Sequence, residues 1–149
     1  MQRIRSKPAD PKHTAKHDPV LFITAEGKTA RTAKLHDCAV GQVRLIFRLT
    51  PTLRVPNPPL MVYLRSLSKI PHSPCKKTNL LTVHKLDKRR QHRLVPATDI
   101  VRLCPLAPVI HGRAPRDIGR DDVFDQFSSF YLNKYRNIDD FIFMFSDCL

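Results

Sequence analysis

AVGQVRLIFRL, residues Ala39–Leu49, carries the clearest structural signal in the chain. Val43, Leu45, Phe47 and Leu49 fall on one side of an extended backbone, while Gln42, Arg44 and Arg48 share the other with Ile46. Strict alternation of period two is what a half-buried strand requires. The neighbouring segments extend the pattern. PVLFITAEG (Pro19–Gly27) reads as an earlier strand ending at a glycine turn. LMVYLRSL (Leu60–Leu67) is apolar on both faces, as a central strand is. Between them TPTLRVPNPP (Thr50–Pro59) holds four prolines in ten residues and predicts a loop.

Further along, SKIPHSPCKK (Ser68–Lys77) is a second loop. TNLLTVHKL (Thr78–Leu86), DKRR (Asp87–Arg90) and QHRLV (Gln91–Val95) read as strand, hairpin turn and return. Pro105 and Pro108 forbid a regular helix in PATDIVRLCPLAPVI (Pro96–Ile110), which is therefore expected to be extended. After the loop HGRAPRDIGR (His111–Arg120) the period changes. Asp121 stands at a capping position, and Val123, Phe124, Phe127, Phe130, Tyr131 and Tyr135 recur at three- and four-residue steps. That spacing predicts an amphipathic helix whose aromatic face joins the core. FIFMF (Phe141–Phe145) is expected to be a short buried element, strand or helix, since period does not decide for five apolar residues.

These segments predict an α+β, mostly β fold: a small, partly open β-barrel of five or six short strands with one C-terminal amphipathic helix packed on it. Residues 1–18 are expected to be a disordered basic arm, 19–110 the strand-rich barrel, and 111–149 the helical C-terminal part of the same domain. A length of 149 residues suits one domain. Such a chain can hide roughly 68% of its unfolded surface, enough for a real core. Proline, at 13 residues, cuts the chain into short pieces. Of the 13 acids only Glu26 is a glutamate, which agrees with few long surface helices.

Charge is distributed unevenly. Residues 1–100 hold 20 Lys or Arg against 6 acids, a net of +14, and residues 101–149 hold 6 against 7, a net of −1. A field of that sign attracts nucleic acid, anionic lipid or an acidic protein surface. Within it KLDKRRQHR (Lys85–Arg93) is the densest cluster. Lys85, Lys88, Arg89, Arg90 and Arg93 would crowd one hairpin tip, where flexible cations track phosphates without reading bases. A solvated turn and a nuclear-import signal are the competing readings of the same run. No base-stacking aromatic is interleaved with it.

Catalytic and metal chemistry find little support. The close pairs of zinc-ligand type are His36 with Cys38, His72 with Cys75, and Cys104 with His111; none forms the double-pair spacing of a structural zinc site. Asp121–Asp122 stand at the start of the expected helix and Asp139–Asp140 just before the last apolar run, where acids serve caps and dipoles. No G-x-S-x-G, P-loop or dinucleotide fingerprint is present, and four glycines leave little for phosphate-cradling loops. No enzyme activity, metal or other cofactor is expected. The four cysteines show no secreted-type framework, and the N-terminal stretch lacks the apolar core of a secretory leader. No apolar run approaches the ~20 residues of a membrane span. A soluble, intracellular protein is expected, with no membrane or small-molecule partner.

The order GQVRLIF (Gly41–Phe47), LMVYL (Leu60–Leu64), HRLVPATDIVRLCPLAPVIHG (His92–Gly112) and DVFDQFSSFYLNKYRNIDDFIFM (Asp122–Met144) resembles a C-terminal domain of unknown function. That domain occurs in large fungal transposon-encoded proteins of the Plavaka and KDZ type. The resemblance covers roughly residues 19–147 and is strongest from Arg93 to Phe145. Its specific pieces are Leu94–Pro108 and Phe130–Tyr135; the loops Thr50–Pro59 and Ser68–Lys77 depart from the family pattern. The resemblance implies a fungal source and association with a transposase; it does not imply activity, neither specific piece is a catalytic signature, and the protein is expected to be nuclear if functional. Together with the charge, it leads to the expectation of a non-catalytic accessory module, or fragment, of a transposon-derived protein, contacting nucleic-acid phosphates through a basic face. The alternatives are a protein-interaction barrel and a relic reading frame with no retained function.

Overall fold

The computed structural model describes residues 4, 6–7, 16–116, 123–136 and 138–145. In chain order the strands and helices are β1 (Ser6–Lys7), β2 (Lys16–His17), β3 (Pro19–Ile23), β4 (Cys38–Arg48), β5 (Leu60–Lys69), β6 (Thr82–His84), β7 (His92–Pro96), β8 (Ile100–Leu103), β9 (Leu106–Pro108), α1 (Val123–Gln126), β10 (Ser129–Leu132) and α2 (Ile138–Phe145). The fold is mostly β, in two antiparallel sheets. One has the order β7-β5-β4-β3-β8, the other β6-β10-β9. The expected arm, residues 1–18, lies largely outside the described residues; its described parts pair as β1 with β2. No helix among the described residues is long and apolar enough to cross a membrane.

The predicted core strands are present. Bulky apolar side chains on β3, β4 and β5 suit a pleated surface buried on one face or both. β4 joins β3 to β5: Val20 lies opposite Gly41, and Val43 opposite Leu64. A Cβ on Gly41 would meet Phe22 Cε1 at 3.1 Å and Leu64 Cβ at 3.3 Å. The missing side chain is what lets those two close over β4.

The five-stranded sheet curls strongly. Laid flat, four strand spacings of about 4.8 Å each would separate β7 from β8. A single 3-10 turn of three residues, Ala97–Asp99, joins them, and an extended chain covers only about 3.5 Å per residue. The sheet therefore wraps, with Val20, Phe22, Ala39, Val43, Val62 and Leu64 on its inner face. It does not close into a barrel, because β7 and β8 are not hydrogen-bonded to each other. β7 ends at Pro96, which has no N–H to offer a partner strand. The expected single barrel is thus two sheets, with a second core between them. Leu21, Cys38, Val40 and Leu67 on the outer face of the large sheet meet Val83, Phe130 and Leu132 of the small one, and Met144 of α2.

Two further expectations are corrected. The amphipathic helix expected from Val123 to Tyr135 is a single turn, α1, followed by β10. Its aromatic recurrence is shared between periods: Phe130 and Leu132, two apart, point into the core of the small sheet. Ser128 and Ser129 favour helix weakly, whereas Phe130 and Tyr131 favour strand, and pairing on both sides with β6 and β9 decides the matter. The hairpin expected across Asp87–Arg90 is a crossing between layers. β6 pairs with β10 in the small sheet, and β7 pairs with β5 in the large one.

Asp37 anchors the loop between β3 and β4. Its backbone carbonyl accepts from Thr24 N–H at 2.9 Å, and its carboxylate accepts from Lys34 N–H at 3.0 Å. That amide bond, with the charges of Lys28 and His36 nearby, holds the carboxyl below its ordinary range against a smaller opposing effect of burial.

Candidate nucleic-acid interface

The crossing between sheets redistributes the basic cluster. Lys88, Arg89 and Arg90 are exposed in the turn Asp87–Arg90, which is closed by Arg90 N–H donating to Asp87 O at 2.8 Å. Among the described residues none of the three enters an ion pair. Lys85 is placed elsewhere: it bridges to Leu67 beside the small sheet, and its ammonium donates to Asp125 O of α1 at 3.0 Å. Burial, with the neighbouring Arg65 charge, lowers the Lys85 pKa, and Asp125 opposes that shift. Arg93 is exposed on β7 opposite Leu64, on the side of the strand that continues the inner face. The structure therefore keeps three of the five predicted cations at one tip and separates Lys85 and Arg93 from it.

Next to this tip lies a surface that local sequence did not indicate. Leu64 and Val62 point inward, so Arg65, Tyr63 and Met61 between them point outward. Their partners form rows across three strands: Gln42, Arg65 and His92; Leu45, Tyr63 and Leu94; Phe47, Met61 and Pro96. The register against β5 shifts between Val43 and Leu45, which places Arg44 at a bulge. This bulge turns Leu45 and Phe47 to the outer face although Val43 stays inside. Leu45 is 53% exposed and Leu94 55%. The stripe expected from alternation is thus broken in its middle by one extra residue.

Tyr63 and His92 are tied together at the centre of this surface. The phenol oxygen and Nδ1 share a hydrogen bond of 2.8 Å, the ring planes are within 5° of parallel, and the centroids lie 5.5 Å apart. Two near-parallel planes whose edge atoms are that close cannot be separated by a full stacking distance. The rings must lie mostly side by side, with flat faces left uncovered by each other. Arg65 marks the boundary with the covered part of the sheet. Its Nε donates to Gln91 Oε1 at 2.9 Å and its guanidinium pairs with Asp125 at 3.0 Å. Arg44 donates to Gln42 Oε1 at 3.3 Å, which holds a second guanidinium along the same edge.

No family model, no curated protein and no solved structure matches the chain.

The zinc-type pairs are dispersed. Cys38 Sγ donates to Lys34 O at 3.3 Å, and His36 Nε2 lies 3.6 Å from Asp37. Cys75 sits in a loop where the amides of Lys77 and Thr78 hold its thiol below the usual range. Cys104 is buried in the core between the sheets. Among the described residues no group of three or more His, Cys, Asp or Glu converges as metal ligands would. Of the acid pairs, Asp121–Asp122 lies outside the described residues, and Asp139 sits in α2. A cavity of about 640 Å³ runs along the β8 edge between Ile4, Lys34, Ile100 and Phe143, and a smaller one of about 150 Å³ lies between Leu35, His72, Leu81 and Met144. Neither gathers a nucleophile with a base.

Proposed function

We propose that the chain is a non-catalytic accessory module of a transposon-derived protein that holds nucleic acid by its phosphates through a basic face. The observation that carries this reading is the exposed run Lys88–Arg89–Arg90, outside any ion pair among the described residues, at the entrance to β7. The net charge of +14 over residues 1–100, the part of the chain that holds this run, supports it by attracting polyanions. The likeness of Leu94–Pro108 and Phe130–Tyr135 to the transposon domain supplies the accessory role. In this reading the curled large sheet acts as a small, partly open barrel that presents its outer face to the polymer.

A titration of a labelled oligonucleotide at rising salt tests the reading. Phosphate contact predicts affinity falling linearly on a log–log plot, with a slope of about −0.9 per phosphate neutralised on duplex. Replacing Lys88, Arg89 and Arg90 together by alanine reduces that slope by roughly 2 to 3. Absence of binding at low salt overturns the reading. A protein-interaction module is the second reading, favoured by the exposed leucines 45 and 94; it predicts partner capture that survives nuclease treatment.

A further inference from the structure

We infer that the outer face of β4, β5 and β7 is a stacking platform for unpaired bases, so that the preferred ligand is single-stranded nucleic acid. The inference rests on the nucleic-acid reading above and adds which form of the polymer is bound and which residues choose it. Phosphate contacts alone do not distinguish a duplex from a single strand at this surface, because both present the same anions. Flat aromatic faces do distinguish them. Bases in a duplex already stack on each other, whereas those of a single strand are free to stack on protein rings.

The hydrogen-bonded pair Tyr63–His92 provides such a surface. Its two rings, nearly parallel and laterally offset, form a plate broader than either ring alone. Leu45 and Leu94 lie directly across from Tyr63 on the two neighbouring strands and extend the apolar area on both sides. If the pair served only to brace the sheet, burial against another layer would be the usual arrangement. Here the flanking leucines stay more than half exposed. Charge complementarity selects the occupant. The Lys88–Arg90 run leads into His92 after one intervening residue. Backbone phosphates can therefore reach cations while the bases lie on the plate.

The test uses fluorescence anisotropy on the full chain at low salt, with a labelled oligothymidylate of about 20 nucleotides, a duplex of the same length, and heparin as a purely anionic competitor. Tyr63→Ala weakens single-strand binding roughly 5- to 150-fold, the range expected for losing one stacked base. Its salt slope and its duplex affinity stay at wild-type values. Tyr63→Phe keeps the stacking face and binds the single strand within about threefold of wild type. His92→Ala falls between. Equal loss on single strand and duplex, or no loss on either, overturns the platform while leaving phosphate binding intact. Failure of all three polyanions to bind removes the nucleic-acid reading and the platform together. Should Tyr63→Ala fail to fold, the Phe variant and His92→Ala still decide: wild-type single-strand preference in His92→Ala, or its loss in Tyr63→Phe, counts against the platform.

Discussion

Cys38–Val43 and Arg44–Arg48 are consecutive stretches of one strand, and their surroundings are opposite. The first six residues are all buried; of the last five, four are exposed and Phe47 is half-buried. Apolar content does not explain the change, since Leu45, Ile46 and Phe47 are as apolar as Ala39, Val40 and Val43. What differs is the cover. The small sheet β6-β10-β9 packs over the outer face as far as Val40 and Leu67 and stops short of Leu45, Tyr63 and Leu94. Large apolar surfaces without a covering layer are where partner sites are commonly found, which makes the open end the candidate. The same sheet is core at one end and candidate interface at the other.

Truncations at the two ends should therefore differ most. Phe130→Ala removes a fully buried ring from beneath the covered end and should cost about 3–5 kcal/mol in chemical denaturation. Leu94→Ala at the open end should stay within about 0.5 kcal/mol. Similar costs would mean that the open end is packed in solution. Gly41→Val probes the inner face, where Phe22 and Leu64 close over the backbone. Overpacking there should cost about 1–3 kcal/mol, measured by thermal unfolding, while Leu45→Val, four residues along β4 where the strand is exposed, should change the midpoint little.

The contrast also shows what was legible in the sequence. The alternation in Ala39–Leu49 announced β4, and the apolar run Leu60–Leu67 announced β5. The bulge at Arg44 was not legible, because it is defined by the register against β5, and no local signal such as glycine marks it. Tyr63 escaped notice for a related reason. Its partner His92 lies 29 residues away and arrives only when β7 pairs with β5. The basic run was visible as charge. That it spans two sheets was not, because a turn flanked by two short strands reads alike whether the strands pair with each other or diverge. The helix expected over Val123–Tyr135 failed where three- and four-residue steps overlap the two-residue step of Phe130 and Leu132. Tertiary pairing overrides periodicity in so short a segment.

Asp37 supplies a pH-dependent probe of the covered end. Its folded pKa is lowered, so its contribution is fully present above the ordinary aspartate value of about 3.9 and is lost as pH falls through the lowered folded value. Asp37→Asn should leave a flatter dependence of the unfolding midpoint on pH below about pH 4, with the open-end binding unchanged. An unaltered acid limb would remove Asp37 from the account. A small effect is expected at the boundary. Asp125→Asn breaks the ion pair with Arg65, whose aspartate is largely exposed, and should cost no more than about 1 kcal/mol. A larger loss would show that α1 is held to the sheet mainly by that pair.

Photo-crosslinking tests the central claim most directly. Irradiating the full chain with an oligonucleotide carrying a halogenated uracil, then mapping the adducts by mass spectrometry, reports which side chains touch bases. The account predicts adducts on Tyr63 or His92, abolished by Tyr63→Ala and His92→Ala together. Adducts confined to residues outside β4, β5 and β7, with the Tyr63 and His92 peptides unmodified, would contradict it.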